Sequence, residues 1–186
     1  MKKNSTLLMV LLAALMSFSF TSCEEDEAIA RTLAGAWEGD TAYGRMYDGY
    51  YYDSYRTQVY FDKDPYRYSS GRGVWVDYFK SHPWSSRYDY IANHITWDVT
   101  WQVITIHFIE DNYTIEIWDY SLTDNYFTGE IRQDGEKMRF RLYHIDSPYW
   151  DSGWHWGWDD GYYWGNEAQF DTEEVEKPVP VIVPAQ

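Results

Sequence analysis

The chain has 186 residues, with 15 Lys and Arg against 30 Asp and Glu, a formal charge of −15, and 20% of it is Phe, Trp or Tyr. That length supports one domain with a real core, and the acidity excludes an unaided nucleic-acid surface, which needs clustered Lys and Arg. So aromatic a composition excludes long disorder and a simple coiled coil, and a single cysteine excludes an internal disulfide framework.

Lys2 and Lys3 precede an apolar run from Leu7 through Leu15 to Phe20. The run is short for a membrane span and has the make-up of a secretory signal. It ends in Phe20-Thr21-Ser22-Cys23, the only cysteine of the chain. This stretch resembles a bacterial lipobox: Ser22 fits the small residue before the cysteine, while Phe20 departs from the usual leucine. The resemblance implies that residues 1–22 are a signal peptide and that Cys23 is lipidated and becomes the first mature residue. Glu24-Glu25-Asp26-Glu27 follows and reads as the start of a solvated acidic tether over 23–32. An acidic run at this place also resembles the signal that carries some Gram-negative lipoproteins to the outer face of the outer membrane. The implied location is therefore the cell surface, with the periplasmic face of that membrane as the alternative.

From residue 33 to about 145 the apolar positions recur with a period of two, the signature of strands. Gly35-Ala36-Trp37 opens the first. Thr57, Val59 and Phe61 alternate with Gln58, Tyr60 and Asp62, and Val74, Val76 and Tyr78 read as an apolar face after Gly71 and Gly73. Ile95, Trp97, Val99 and Trp101 form one face, Ile104, Ile106 and Phe108 the next. The change of parity between Trp101 and Ile104 requires a bulge or a tight turn. Glu110-Asp111-Asn112 reads as a turn into Tyr113, Ile115 and Ile117. Phe127, Gly129 and Ile131 follow, then the Asp134-Gly135 turn, then Met138, Phe140 and Leu142.

About eight short strands in sequence predict an all-β, antiparallel, up-and-down barrel, with two packed sheets as the alternative; closure removes exposed edges. Gly35-x-Trp37 resembles the G-x-W of the first strand of lipocalins and other calycin barrels. The cadence of Ile95-x-Trp97, Ile104-Thr105-Ile106 and Asp119-Tyr120-Ser121-Leu122 before Phe127-x-Gly129 is similar to lipocalin-like domains of bacterial surface lipoproteins. That resemblance implies a lipocalin-like barrel over 33–170 in which Trp37 plugs the closed end. It also implies a basic residue of the last strand lying across the Trp37 ring, and Arg139 and Arg141 both stand at the right place for it. Trp97, Trp101, Phe108, Phe127 and Phe140 are the candidates for the interior. Rings of that size predict a narrow cavity or none.

Two segments read as loops rather than strands: 43–55 (YGRMYDGYYYDSY) and 149–164 (YWDSGWHWGWDDGYYW). Both mix rings with turn-forming Gly, Asp and Ser. The tail, 171–186, holds Pro178, Pro180 and Pro184 and reads as disordered.

Chemistry of a catalytic kind is not found. The five histidines have no zinc-ligand spacing, and His155 with Asp151, Asp159 and Asp160 reads as loop polarity around rings rather than a metal site. Glu38 with Asp40, and Glu116 with Glu130, are the carboxylate pairs a glycosidase would need. Thirty acidic residues make such pairs inevitable, and the expectation is a non-catalytic protein without cofactor or metal. The positive signal is aromatic. Trp154, Trp156 and Trp158 would form a row on one face of a strand, and Tyr50-Tyr51-Tyr52 is a second cluster; such rings stack on sugars and on other π systems or cations. The expected role is a lipid-anchored envelope protein whose aromatic loops hold a glycan, a small apolar ligand or a partner. The alternative is an accessory lipoprotein with a solid barrel that docks onto an outer-membrane protein.

Overall fold

In the computed structural model, which describes residues 23–41, 43–80, 82–83, 89–146, 154–157 and 178–182, a helix and eleven strands are arranged as one closed barrel and one small sheet. The acidic run does not form a solvated tether; it begins a helix over residues 23–33, α1. Carboxylates suit the first turn of a helix, where the unpaired N–H groups lie, and Ala30 and Leu33 fall on one stripe that is fully buried.

The strands are β1 (Gly35–Asp40), β2 (Tyr43–Tyr47), β3 (Tyr50–Asp53), β4 (Arg56–Lys63), β5 (Ser70–Tyr78) and β6 (Tyr90–Thr100), followed by β7 (Val103–Phe108), β8 (Tyr113–Leu122), β9 (Tyr126–Gln133), β10 (Glu136–Ile145) and β11 (Val179–Ile182). Eight of them close an antiparallel barrel in the order β1-β4-β5-β6-β7-β8-β9-β10, with β10 returning to β1. This is the expected up-and-down antiparallel barrel, compatible with a lipocalin-like fold. The parity change after Trp101 is a tight turn in which Trp101 and Gln102 both take positive φ, 55° and 61°.

The interior is filled by rings and branched side chains. Trp37, Trp75, Trp97, Phe61, Phe108, Phe127 and Phe140 are buried together with Val59, Ile95, Ile106 and Ile131. In β5 the inward face is the opposite of the expected one. Trp75 and Asp77 point in with Gly71 and Gly73, and Tyr78 faces out. A Cβ on Gly73 would stand 1.9 Å from the Tyr60 carbonyl oxygen and 3.2 Å from Ile95, so the barrel wall bends where only glycine fits. Trp101, expected inside, is 74% exposed at the turn.

The 43–55 segment is not a loop. β2 and β3 form a hairpin around Asp48-Gly49, whose φ angles of 49° and 75° are those of a type I′ turn. β11 adds to the other side of β2, so residues 179–182 of the tail are ordered in a strand. Pro180 is tolerated because β11 is the edge of this three-stranded sheet.

Both ends of the barrel are thus covered. α1 lies at the end where β1 begins, and Trp37 Nε1 donates to the Leu33 carbonyl at 2.8 Å. The hairpin lies at the other end, the mouth, where β1 leads out and β4 leads in.

Candidate functional site

Three regions carry chemistry: the layer beneath the hairpin, the aromatic outer wall near the mouth, and the outward carboxylates of β1, β8 and β9.

The layer beneath the hairpin is polar and buried. Arg45, on β2, is fully buried, and its Nη1 lies 2.8 Å from Asp111 Oδ2. Asn93 Nδ2 donates to the same oxygen at 3.0 Å. Asp77 Oδ1 accepts from Thr57 Oγ1 at 2.7 Å and from Trp75 Nε1 at 2.9 Å. Tyr43, buried beside Arg45, stacks with Tyr113 and Phe108 and donates to Gln133 at 2.6 Å. The ladders explain this gathering, since Thr57 faces Asp77 across β4 and β5, and Trp75 faces Asn93 across β5 and β6. Burial pushes the Asp77 carboxyl up to about 6, the nearby Arg45 charge holding it from going further. For Arg45 burial opposes the charge, but Asp111 and its neighbours outweigh it and the guanidinium stays protonated. Sequence reasoning missed this cluster: Arg45 stands among Tyr, Gly and Asp, and nothing local marks its distant partners.

The outer wall near the mouth carries a strip of rings. Register places Arg56 opposite Tyr78, and Tyr78 opposite Tyr90. Tyr55, Tyr78, Tyr90, Trp154 and Trp156 follow one another at ring separations of 6.4, 6.1, 5.6 and 6.2 Å. Trp156 then stacks on His94 at 3.7 Å. β6 runs on beyond the end of β7, and there Gly157 N–H donates to the Ala92 carbonyl at 2.6 Å. That bridge, the His155 N–H donating to the Tyr90 hydroxyl at 3.3 Å and the ring contacts hold the 154–157 segment to the wall, and Trp154 and Trp156 sit there without a regular strand around them. Gly157 has φ 71°, and a Cβ there would press on Glu110. Glu110 in turn accepts from the His94 backbone at 2.7 Å and meets its Nδ1 at 2.5 Å. Arg56 lies over the Tyr78 ring at 4.3 Å and Lys80 over Tyr55 at 5.4 Å. Trp156 remains 39% exposed.

Of the other expected contact residues, Tyr50 and Tyr51 are exposed at the hairpin tip, while Tyr52 packs on Phe79 and Ile91. Trp158 lies outside the described residues, as do Asp151, Asp159 and Asp160. Cys23 is exposed and a free thiol at the start of α1.

Neither Arg139 nor Arg141 lies across Trp37. Both alternate with the inward Phe140 and Leu142 and therefore project from the outer wall. The last-strand partner of Trp37 is His144, opposite it in the ladder and edge-on at 5.0 Å. Parity settles this point: Arg141 and Arg139 stand three and five residues before His144, odd spacings that put them on the opposite face of β10.

The carboxylate pairs are engaged elsewhere. Glu38 accepts from Gln58 at 2.5 Å. The ladder sets Glu116 opposite Arg132 and Glu130 opposite Trp118. Glu116 accepts from Trp118 Nε1 at 2.8 Å, and Arg132 holds Glu130 below the usual carboxylate range. Among the described residues no group of three or more His, Cys, Asp or Glu is placed to hold a metal ion.

Comparison of the chain with protein-family models, with curated proteins and with solved structures finds no match in any of the three.

Proposed function

We propose that this chain is a non-catalytic, lipid-anchored lipoprotein of the outer membrane of a Gram-negative bacterium, related in form to lipocalins, which binds a glycan along the outer-wall strip. The observation that carries the reading is the succession Tyr55, Tyr78, Tyr90, Trp154, Trp156 and His94. Flat rings spaced along a wall match the C–H faces of successive sugars, and Glu110, Arg56 and Lys80 beside them are groups that hydrogen-bond hydroxyls. A small apolar cargo inside the barrel fits less well, because large rings fill the interior and the hairpin covers the mouth. A second reading, docking to an outer-membrane protein, draws on the exposed Tyr50 and Tyr51 at the hairpin tip.

The test is a glycan array probed with the mature protein and with Trp154→Ala/Trp156→Ala. The expected result is recognition of a glycan class that the double variant loses by tenfold or more, about 1.4 kcal/mol, with a thermal melt close to that of the parent. An array without hits, or equal binding by both proteins, overturns the glycan reading. Retention of the parent on a membrane-protein fraction through Tyr50 and Tyr51 would then favour the second.

A further inference from the structure

The anchor and the barrel are joined without slack. α1 begins at Cys23 and reaches β1 across Ala34 alone. Its first turn is fastened to the barrel: the buried Asp26 carboxylate accepts the backbone N–H of Trp101 at 3.1 Å and of Gln102 at 2.9 Å, and Glu25 accepts from Gln102 Nε2 at 2.9 Å. Cys23 is therefore held beside the β6–β7 turn.

That turn is chemically odd. Type I′ turns favour Asn-Gly or Asp-Gly because both central residues take positive φ. Here the two are Trp101 and Gln102, and a bulky residue in the left-handed region is a genuine outlier. The strain is not repaid by packing, since Trp101 is the most exposed tryptophan among the described residues. Next to it, a furrow of about 590 Å³ between α1 and β7–β8 has a mixed lining, apolar at Ile29, Val103 and Leu122 and polar at Thr32, Gln102 and Asp119, the make-up of a surface at headgroup depth rather than in the hydrocarbon.

We propose that the α1 end of the barrel rests on the bilayer, with Trp101 seated at the headgroup level and the furrow beside it covered by lipid. The inference rests on the lipid-anchor reading of Cys23. Tryptophan is a residue of membrane–water interfaces, apolar in body and polar at one edge, and the anchor brings this one to the surface. The mouth, the hairpin and the upper part of the aromatic strip then face away from the membrane. Glu24 and Glu25, exposed on the same turn of α1, make this contact favour a surface low in anionic lipid.

The precursor, expressed so that it is processed in a bacterial envelope, is purified and reconstituted into phosphatidylethanolamine–phosphatidylcholine vesicles. Acylation consumes the Cys23 thiol, so Trp101→Cys and Tyr50→Cys each supply one site for a nitroxide label. The expected result is a ratio of oxygen to nickel-chelate accessibility several-fold higher at position 101 than at position 50. Brominated lipid should also quench the tryptophan emission of the parent more than that of Trp101→Tyr. Equal, aqueous accessibility at both labels, or equal quenching of parent and variant, overturns the inference. Intact mass separates the two readings. A parent that carries acyl mass while its label at 101 stays aqueous loses only this inference, whereas a parent without acyl mass loses the anchor and this inference with it.

Discussion

At the α1 end the barrel is stopped by apolar side chains, Ala30, Leu33 and Trp37, with one indole N–H satisfied by a helix carbonyl. At the mouth it is stopped by a charged one, Arg45, matched to Asp111 and Asp77 and roofed by a hairpin. Both stoppers are fully buried, yet they respond to different variables. Burial of Trp37 is stabilising through area and dispersion, which depend little on pH. A buried ion pair gains little net stability over an apolar filling but is costly to break, and its strength follows the protonation of its partners. The mouth is therefore the end that solution conditions can loosen.

Trp37→Ala should have the largest effect, a loss of about 3–5 kcal/mol from the cavity and the lost burial. Chemical denaturation should show the same loss at pH 5 and pH 7.5. Arg45→Ala should cost about 3–5 kcal/mol at pH 7.5, because it leaves buried carboxylates without their cation. Here the loss should shrink at pH 5, where Asp77 takes up a proton. Equal losses of Arg45→Ala at the two pH values would break the comparison.

Asp77→Asn sharpens it. The folded pKa of Asp77, about 6, lies above its ordinary value of 3.8, so the folded state holds this proton more tightly than the unfolded one. Stability from this group is full below about pH 4 and is lost as pH rises through 6, by about 3 kcal/mol at most. Asparagine keeps an acceptor for Thr57 and Trp75 and cannot ionise. The variant should flatten the stability profile between pH 4 and 7, measured as the difference from the parent. At the other end Asp26→Asn should cost about 1.5–3 kcal/mol, by weakening two hydrogen bonds to a charged acceptor. The smallest effect on stability is expected from the Trp154 and Trp156 double substitution, whose readout is binding.

The part of the fold that could be read from the sequence is the part where one rule operates without competition. From Ile95 to Leu142 alternation and the Asp134-Gly135 turn specify strands, faces and connections, and the structure agrees with them except at Trp101, which the β6–β7 turn exposes, and at the register shift between Trp118 and Ser121. Alternation failed in β5, where Gly71 and Gly73 hide the inward face and leave Val74 and Val76 as the visible apolar pair. The β2–β3 hairpin carried the same Asp-Gly signal as the later turn, at Asp48-Gly49, but its flanking strands are tyrosines without polar alternation. β11 is apolar throughout, but it is only four residues long with Pro180 among them, so no alternation announces it, and it forms where β2 offers an edge. Of the candidate site, Trp154 and Trp156 stood out in the composition, while their partners Tyr90 and His94 are set by the bridge at Gly157, which local sequence does not show. The Arg45 cluster was illegible for a simpler reason. A buried charge is identified by what it meets, and Arg45 meets residues from three distant strands and turns.

One feature of the mouth bears on how the chain matures. Tyr43 and Ile182, far apart along the chain, are neighbours in the small sheet. Contacts so far apart along the chain form late, and this one must wait until β11 has been made. Until then β2 presents an open edge, which is a site for pairing with other chains. Pairing of β11 is thus a closing step of folding, and a chain cut before Val179 would have its barrel strands in place but the β2 edge open and prone to self-association.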